Sequence, residues 1–271
     1  MKIHLPRRLM LAAPALVLAT PARAVTLNAA ALTQGGFVVG RAAPGTRLAL
    51  DGRAVRVSPA GDFAFGFGRD HAAQARLAIT APTGAAETRV LNIAKRQWPT
   101  ESISGLPPAQ VTPDAETLTR IAREREKLGA IRALESGLTG FAEGFIRPAP
   151  GRISGVFGSQ RILNGQPRQP HYGLDFAAPT GTPVVSCAAG RVSLADEFHF
   201  FGKLIVVDHG HGVNSLYAHL SEITVREAET ITKGQRIGAI GMTGRVTGPH
   251  LHFSLSWFQQ WLDPQPVVLP G

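Results

Sequence analysis

The chain has 271 residues, of which 44% are hydrophobic, and its formal net charge is +9. This length and hydrophobicity fit one large or two small globular domains, and they exclude an intrinsically disordered chain. The single cysteine, Cys187, excludes an intramolecular disulfide and any metal site built from several cysteines.

Residues 1–24 have the pattern of an export signal. Arg7 and Arg8 belong to a basic start, and residues 9–20 form an apolar run that is too short to span a bilayer comfortably. Small residues then lead to Ala24, where signal peptidase would cut. The sequence predicts a periplasmic or secreted protein with no stable membrane insertion after cleavage, and it leaves Sec and twin-arginine export both open.

Residues 25–98 alternate apolar and polar positions over short stretches that are separated by Pro and Gly turns. Phe63, Phe65 and Phe67 alternate, so they should share one core-facing side of a strand. The pattern predicts a small β-sandwich that resembles Ig-like modules of exported bacterial proteins. Its surplus basic charge suits an anionic wall or membrane surface, although ordinary solubility explains the charge equally well. A wall or regulatory protein is the expected partner of this module. No basic motif interleaved with aromatics points to nucleic acid.

Residues 99–147 are predicted to form a linker that contains one helix, over residues 112–138. Thr112 is a candidate N-cap, and Pro113 suits the first helical position. Apolar residues recur on one stripe of this helix, and Gly137 is expected to end it.

Residues 148–271 are again rich in β-type sequence, with no helical period. Short apolar runs predict five strands, at residues 183–188, 203–208, 213–219, 237–240 and 251–257.

Seven of the nine histidines lie between residues 171 and 252. His171 and Asp175 are four residues apart, but the Pro and Gly residues around them favour a loop entering a strand, with both side chains turned to a common point. His250 and His252 would share one face of a strand. Two adjacent imidazoles suit a metal ion, although a surface strand with solvated histidines has the same pattern. His219 lies at the end of a predicted strand. This position suggests a functional role only in combination with the His171/Asp175 and His250/His252 motifs.

These motifs occur together in an order that resembles the lysostaphin/LytM-type zinc metallopeptidases, which cut the peptide part of peptidoglycan. The resemblance covers residues 151–266. The matching segments are residues 151–154, 157–158, 171–184, 189–192, 206–210, 216–220, 233–238 and 243–253. It implies a C-terminal β-sheet metallopeptidase domain, and it says nothing about residues 25–147.

The resemblance also implies a role for each histidine and aspartate of the pattern. His171, Asp175 and His252 would hold one Zn²⁺ per chain, and His219 and His250 would be catalytic without binding the metal. Three protein ligands leave a fourth zinc position for water. The chain has no HExxH motif, so a histidine must take the part of the general base. How His219 and His250 divide the base and oxyanion roles stays open.

Four further residues are weighed against this set. His209 and His211 form a second His-x-His pair, but flanking glycines predict a hairpin turn, with His211 exposed and His209 bonded across the turn. His199 lies in an aromatic loop that either lines the substrate groove or is simply packed. Cys187 is expected to fill a small core position.

The resemblance implies an exported zinc endopeptidase that hydrolyses peptide cross-links of peptidoglycan, with the peptide stems as its substrate. Residues 159–170 and 196–202 differ from the family pattern and are expected to set which bond is cut. The first expectation is the D-alanyl–diaminopimelate cross-bridge. The alternative is a non-catalytic or autoinhibited wall-binding regulator of other wall hydrolases.

Overall fold

The structure is a computed structural model that describes residues 25–105, 107 and 111–269. β-Strand is the main secondary structure of these residues, which confirms the predicted mainly β fold. The predicted signal peptide, residues 1–24, lies outside the described residues. Across the part that is described, no helix is both long and apolar enough to span a membrane.

Seven strands form two antiparallel sheets at the N-terminal end. They are β1 Thr26–Leu27, β2 Phe37–Arg41, β3 Arg47–Leu50, β4 Arg53–Val55, β5 Asp62–Gly66, β6 Gln74–Thr80 and β7 Ala86–Asn92. One sheet has the order β1-β2-β5 and the other β4-β3-β6-β7. Phe63, Phe65 and Phe67 are fully buried in one cluster with residues of both sheets, as predicted. The Ig-like resemblance of this module stays a prediction.

The hydrophobic cluster of the N-terminal module continues into the C-terminal part of the chain. Trp257, Phe258 and Leu262 are buried in the same cluster as the three phenylalanines. Arg96 also pairs with Asp263, with 2.7 Å between Nη1 and Oδ2. The two parts of the chain therefore share one interior.

The predicted helix at residues 112–138 is shorter in the structure, where α1 runs over Ala115–Ala133. Its N-cap is Asp114 and not Thr112, because the Asp114 carboxylate accepts a hydrogen bond from the Thr117 N–H at 2.8 Å. The chain leaves the helix at Leu134 in an extended conformation, before it reaches Gly137.

Helix α1 packs on the C-terminal sheet through its buried side. Leu128 lies in an apolar cluster with Leu194, Leu204 and four further side chains of that sheet and its loops. At the rim, Lys127 Nζ lies 2.7 Å from Asp196 Oδ2. The helix is therefore attached to the C-terminal domain and does not stand free between the two parts.

The C-terminal half is built on a ten-stranded sheet with the central order β17-β14-β15-β16-β19-β12-β9. Its strands are β9 Arg152–Gly155, β12 Leu174–Ala177, β13 Pro183–Val185, β14 Gly190–Phe198, β15 Gly202–Gly210, β16 Val213–Ile223, β17 Thr230–Ile231, β18 Arg236–Ile240, β19 His250–Trp257 and β20 Gln260–Leu262. The five predicted strands are all present, with bounds that differ by a few residues. A final short helix, α2, runs over Gln265–Val268.

The predicted linker contributes a strand of its own. This strand, β8, runs over Thr100–Ile103 and pairs in parallel with β10, Gln160–Leu163, which pairs in turn with β11, Gln166–Pro167. The resulting three-stranded sheet holds the segment that precedes His171.

Candidate metal centre

The structure brings the three predicted metal ligands together on two neighbouring strands and one loop. Asp175 on β12 is the register partner of His252 on β19, and His171 lies in the loop that enters β12. Asp175 Oδ1 is 3.1 Å from His171 Nε2 and 2.9 Å from His252 Nδ1, and these two nitrogens are 2.9 Å apart. All three side chains are buried.

The outer ring nitrogens show which atoms face the centre of this group. His171 Nδ1 lies 3.1 Å from the Val156 carbonyl, which can only accept, so that nitrogen carries the proton. His252 Nε2 lies 2.8 Å from the Ser254 hydroxyl. When the Ser254 hydroxyl accepts a hydrogen bond from His252 Nε2, the two nitrogens that face Asp175, His171 Nε2 and His252 Nδ1, carry no proton. Both nitrogens and Asp175 Oδ1 then direct lone pairs toward the same point. A cation is what such a donor set requires, so the residues present fit a metal ion.

Charge and burial act in opposite directions on this group. Burial alone would raise the pKa of the Asp175 carboxyl, but its interactions with His171 and His252 outweigh burial and hold that pKa well below its usual range. Burial lowers the pKa of His252 to about 4, against the opposing effect of Asp175. The charge of Arg161, whose Nη2 lies 3.5 Å from Asp175 Oδ2, also favours the ionised carboxylate. The group therefore holds an ionised carboxylate beside a neutral imidazole at neutral pH.

Two glycines allow the ligand side chains to come this close. A Cβ on Gly155 would lie 2.4 Å from Asp175 Oδ2, and one on Gly173 would lie 2.5 Å from His252 Cε1. Any other residue at either position would displace a ligand side chain. The sequence offers no signal for Gly155, because the contact forms only when β9 pairs with β12.

A β-bulge in β16 turns His219 toward the group. Ala218 and His219 together face Leu204 alone on β15, and His219 has a φ of +63°. The His219 ring lies 4.8 Å from the His250 ring and 5.9 Å from the His252 ring, between centroids. The structure thus places both predicted catalytic histidines beside the three predicted ligands.

The hydrogen bonds of His219 and His250 leave the same ring nitrogen available on each. His219 Nδ1 donates to the Thr243 carbonyl at 2.9 Å, and His250 Nδ1 donates to the Gly248 carbonyl at 2.9 Å. Nε2 is therefore the nitrogen that remains on each ring for proton transfer. Burial, followed by the charges of His252 and His250, holds the pKa of His219 well below its usual range, so this ring is neutral at pH 7.

A cavity of about 400 Å³ gives access to the group. Its wall contains His171, His219 and His252, the aromatic loop with Phe198, Phe200 and Phe201, and one side of α1. Sequence reasoning could not say which side of α1 faces the cavity, because that depends on how the helix docks on the sheet. It also missed Arg161, Arg168 and Arg245 in the wall, although two of them lie in the segment expected to set specificity.

His209, His211 and Cys187 serve packing. The His209 ring bonds to the Ala189 carbonyl at 2.8 Å and to the Ser215 hydroxyl at 2.7 Å. His211 was expected to be exposed, and this is wrong: its ring packs on Phe141 and it is 2% exposed. Cys187 is fully buried, as predicted.

His199 lies in the loop of aromatic residues that borders the cavity. Its ring packs on Phe200 with 4.9 Å between centroids, and its backbone N–H donates to the Glu124 carboxylate of α1. Its neighbours Phe198 and Phe200 line the cavity. The loop is therefore both packed and part of the groove wall.

Residues 169–264 match Peptidase family M23. Peptidoglycan DD-endopeptidase ShyA of Vibrio cholerae is 44% identical over 105 residues, which are 38% of this chain and 24% of ShyA. DD-carboxypeptidase/endopeptidase Mpg of Neisseria meningitidis is 39% identical over 119 residues, which are 44% of this chain and 27% of Mpg. The chain thus spans about a quarter of the length of these two curated relatives.

The likeness to a solved structure extends beyond the matched family segment. A crystal structure of a Pseudomonas aeruginosa protein assigned to peptidase M23 has a TM-score of 0.68 and 28% sequence identity, and covers 87% of this chain and 94% of that chain. The coverage takes in much of the N-terminal module as well. The histidine and aspartate motifs, the sheet that carries them and these similarities agree: residues 169–264 form a domain of peptidase family M23, a family of metallopeptidases.

Proposed function

We propose that the chain is an exported, zinc-dependent endopeptidase that hydrolyses peptide cross-links of peptidoglycan. The observation that carries this proposal is the convergence of His171 Nε2, Asp175 Oδ1 and His252 Nδ1 beside His219 and His250. Support for the substrate comes from relatives that are named peptidoglycan DD-endopeptidases.

His171, Asp175 and His252 would hold the zinc ion. When bound there, zinc would supply Lewis-acid chemistry, which lowers the pKa of water to about 7 and polarises a carbonyl group. The Val156 carbonyl and the Ser254 hydroxyl keep the two histidine rings oriented for this role.

His219 and His250 would move the proton and stabilise charge. The Nε2 lone pair of one ring accepts a proton from the attacking water, whose oxygen bonds to the carbonyl carbon. The carbon–nitrogen bond then breaks, and the proton passes to the leaving amine. A protonated or hydrogen-bonding ring on the other side stabilises the negative oxygen that develops.

The place of action follows from the substrate. Peptidoglycan lies outside the cytoplasmic membrane, and residues 1–24 have the sequence pattern of an export signal. Cleavage after Ala24 and export to the periplasm or beyond are part of this proposal. A wall or regulatory protein as partner of the N-terminal module remains a prediction.

Zinc content and muropeptide release test the proposal together, on the chain from Val25 onward. We expect one zinc per chain and release of uncrosslinked muropeptides from purified peptidoglycan. His171→Ala and His252→Ala should lose both zinc and activity. His219→Ala and His250→Ala should keep zinc and lose activity by roughly a hundredfold or more.

His71→Ala is the matched control, because His71 lies in the N-terminal module, and it should keep zinc and activity. Wild-type protein that takes up no zinc and releases no muropeptide would overturn the proposal. Retention of full activity in His219→Ala and His250→Ala would overturn the assignment of the proton step.

The second candidate is an autoinhibited or non-catalytic regulator of wall hydrolases. One observation favours it: Leu118, Ile121 and Leu128 of α1 line the same cavity as the metal-binding group. A helix in that position either forms one wall of the substrate groove or occupies the space that the substrate needs.

Weakening the contact between α1 and the sheet separates these two cases. The double variant Glu124→Ala, Lys127→Ala removes the bond to the His199 N–H and the ion pair to Asp196. Autoinhibition predicts faster muropeptide release by this variant, whereas a groove wall predicts slower release with a higher KM. Glu126→Ala on the exposed side of α1 is the control.

A further inference from the structure

The wall of the cavity above the candidate metal centre is strongly basic. Among the described residues that line it, four are arginines and one is acidic: Arg125, Arg161, Arg168, Arg245 and Glu124. The Glu124 carboxylate already accepts hydrogen bonds from the His199 N–H, at 2.9 Å and 3.0 Å, and pairs with Arg120 at 2.7 Å. It therefore does little to neutralise the arginines of the wall.

Arg161 and Arg168 differ in what they bind. Arg161 lies 3.5 Å from Asp175 Oδ2 and 3.4 Å from Glu101 Oε2, so its charge is already shared between two carboxylates. Arg168 donates to the Val111 carbonyl at 2.9 Å and to the Gln166 side-chain oxygen, which are both neutral. Arg168 is thus held in place while it keeps its full charge for a ligand.

Arg245 reaches the cavity from the loop that also orients His219. Its guanidinium lies 4.1 Å from the centroid of the Phe200 ring, and its backbone N–H donates to the Phe200 carbonyl at 3.0 Å. Thr243, two residues earlier, accepts the hydrogen bond from His219 Nδ1. The position of Arg245 is therefore linked to the position of a candidate catalytic histidine.

These arginines act on one another as like charges. Burial, followed by the charges of Arg161 and Arg168, lowers the pKa of Arg245 to about 10, so Arg245 remains protonated at neutral pH while it is repelled by its neighbours. A carboxylate between such groups relieves the repulsion and meets the paired N–H donors of a guanidinium.

We propose that Arg168 and Arg245 bind a free carboxylate of the substrate beside the peptide bond that is cut. This inference rests on the proposed function and deepens it. In a D-alanyl–diaminopimelate cross-link, the carbon that bears the amide nitrogen also bears a carboxylate, whereas a glycine bridge has no charge there. The two arginines are therefore specificity-determining residues that select a bond flanked by a carboxylate on its amine side.

Two peptide dimers test this inference with the chain from Val25 onward. Both contain a D-alanyl–diaminopimelate bond, and the carboxyl beside the scissile nitrogen is free in one and amidated in the other. We expect kcat/KM for the free carboxylate to be about tenfold to a hundredfold higher, the range for hydrogen bonds to a charged group. Arg168→Gln and Arg245→Gln should each reduce this preference, and the double variant should bring it close to one.

Matched variants distinguish the effect of the paired N–H donors of a guanidinium from the effect of its positive charge alone. Arg245→Lys keeps the charge and should keep only part of the preference. Arg191→Gln removes one charge from an exposed strand position away from the cavity and should leave the preference unchanged. Equal cleavage of the two dimers by the wild type, or an undiminished preference in the double variant, would overturn the inference.

Binding to the metal-free protein distinguishes failure of this inference from failure of the proposed function. Calorimetry with chelator-treated protein should show tighter binding of a tripeptide ending in free diaminopimelate than of its amide, and the double variant should lose the difference. If neither dimer is cleaved but this difference is found, the carboxylate site stands and the proposed hydrolysis is wrong. If both dimers are cleaved but the metal-free protein shows no difference in binding, the proposed hydrolysis stands and the carboxylate site is wrong.

Discussion

Ser254 acts on the candidate metal centre through one ring nitrogen of His252. Its hydroxyl lies 2.8 Å from His252 Nε2, and a bond in which Ser254 accepts fixes the proton there and leaves Nδ1 for the metal. Ser256 lies on the same face of β19, two residues further along, and its hydroxyl accepts from Arg132 Nε at 3.2 Å. The two serines therefore offer a matched pair for substitution.

We expect Ser254→Ala to weaken zinc binding by about tenfold to a hundredfold, the usual effect of removing a partner of a ligating histidine. Ser256→Ala should leave zinc affinity close to that of the wild type. Competition with a chromophoric chelator measures both affinities, and circular dichroism verifies that each variant is folded. Equal zinc affinity in Ser254→Ala and wild type would show that Ser254 does not orient His252.

At the scale of single residues, the sequence predicted which histidine and aspartate side chains lie close together, and their roles remain predictions. His250 and His252 are two residues apart on a strand, and His171 and Asp175 flank the entry to another, so local geometry alone brings each pair close. The approach of Gly155 to Asp175, and the bulge that turns His219, depend on strand register. Register is set by pairing between distant segments, which local pattern does not specify.

Strands β15 and β16 bury His209 in a neutral hydrogen-bonded network. Its ring is fully buried, donates to the Ala189 carbonyl and is paired with the Ser215 hydroxyl. Burial lowers the pKa of His209 from 6.5 to about 4. In the unfolded chain the ring takes up a proton once the pH falls below about 6.5, so protonation there favours unfolding.

Stability should therefore be unaffected by His209 above pH 6.5 and fall as the pH drops from 6.5 to 4. The full loss from this group is about 3 kcal/mol of unfolding free energy. We expect His209→Gln to be less stable at pH 7 but to lose less stability on acidification. Urea unfolding at several pH values, with chelator present in both proteins, measures the two slopes. Parallel slopes would contradict this account of His209.

At the scale of elements, sequence reasoning succeeded with strands and was less accurate with the helix. The apolar runs of β15, β16 and β19 are buried strands because their length suits strands and their residues pack on both faces. Helix α1 starts later than expected because Asp114 caps it better than Thr112 does. Its docking beside the cavity follows from Leu128 and Lys127 meeting partners on β14 and the sheet, far away in sequence.

At the scale of the whole molecule, the sequence predicted two β-rich parts but not the interior they share. Phe63 and Phe65 of the N-terminal module lie in one hydrophobic cluster with Trp257, Phe258 and Leu262 from the C-terminal sheet. The apolar pattern of the sequence predicts that each of these residues is buried. It does not show that the N-terminal module and the C-terminal sheet bury them in the same core. That information lies in the tertiary contacts, as does the Arg96–Asp263 ion pair.

A recombinant fragment that begins after the N-terminal module would expose this interior to water. The side chains of Trp257, Phe258 and Leu262 would form a contiguous apolar surface, and such surfaces promote self-association and poor solubility. They also lie on or beside β19, the strand that carries His250 and His252. Truncation at the family boundary would therefore disturb the strand that presents the histidines, so the smallest unit worth purifying for enzymology includes both halves.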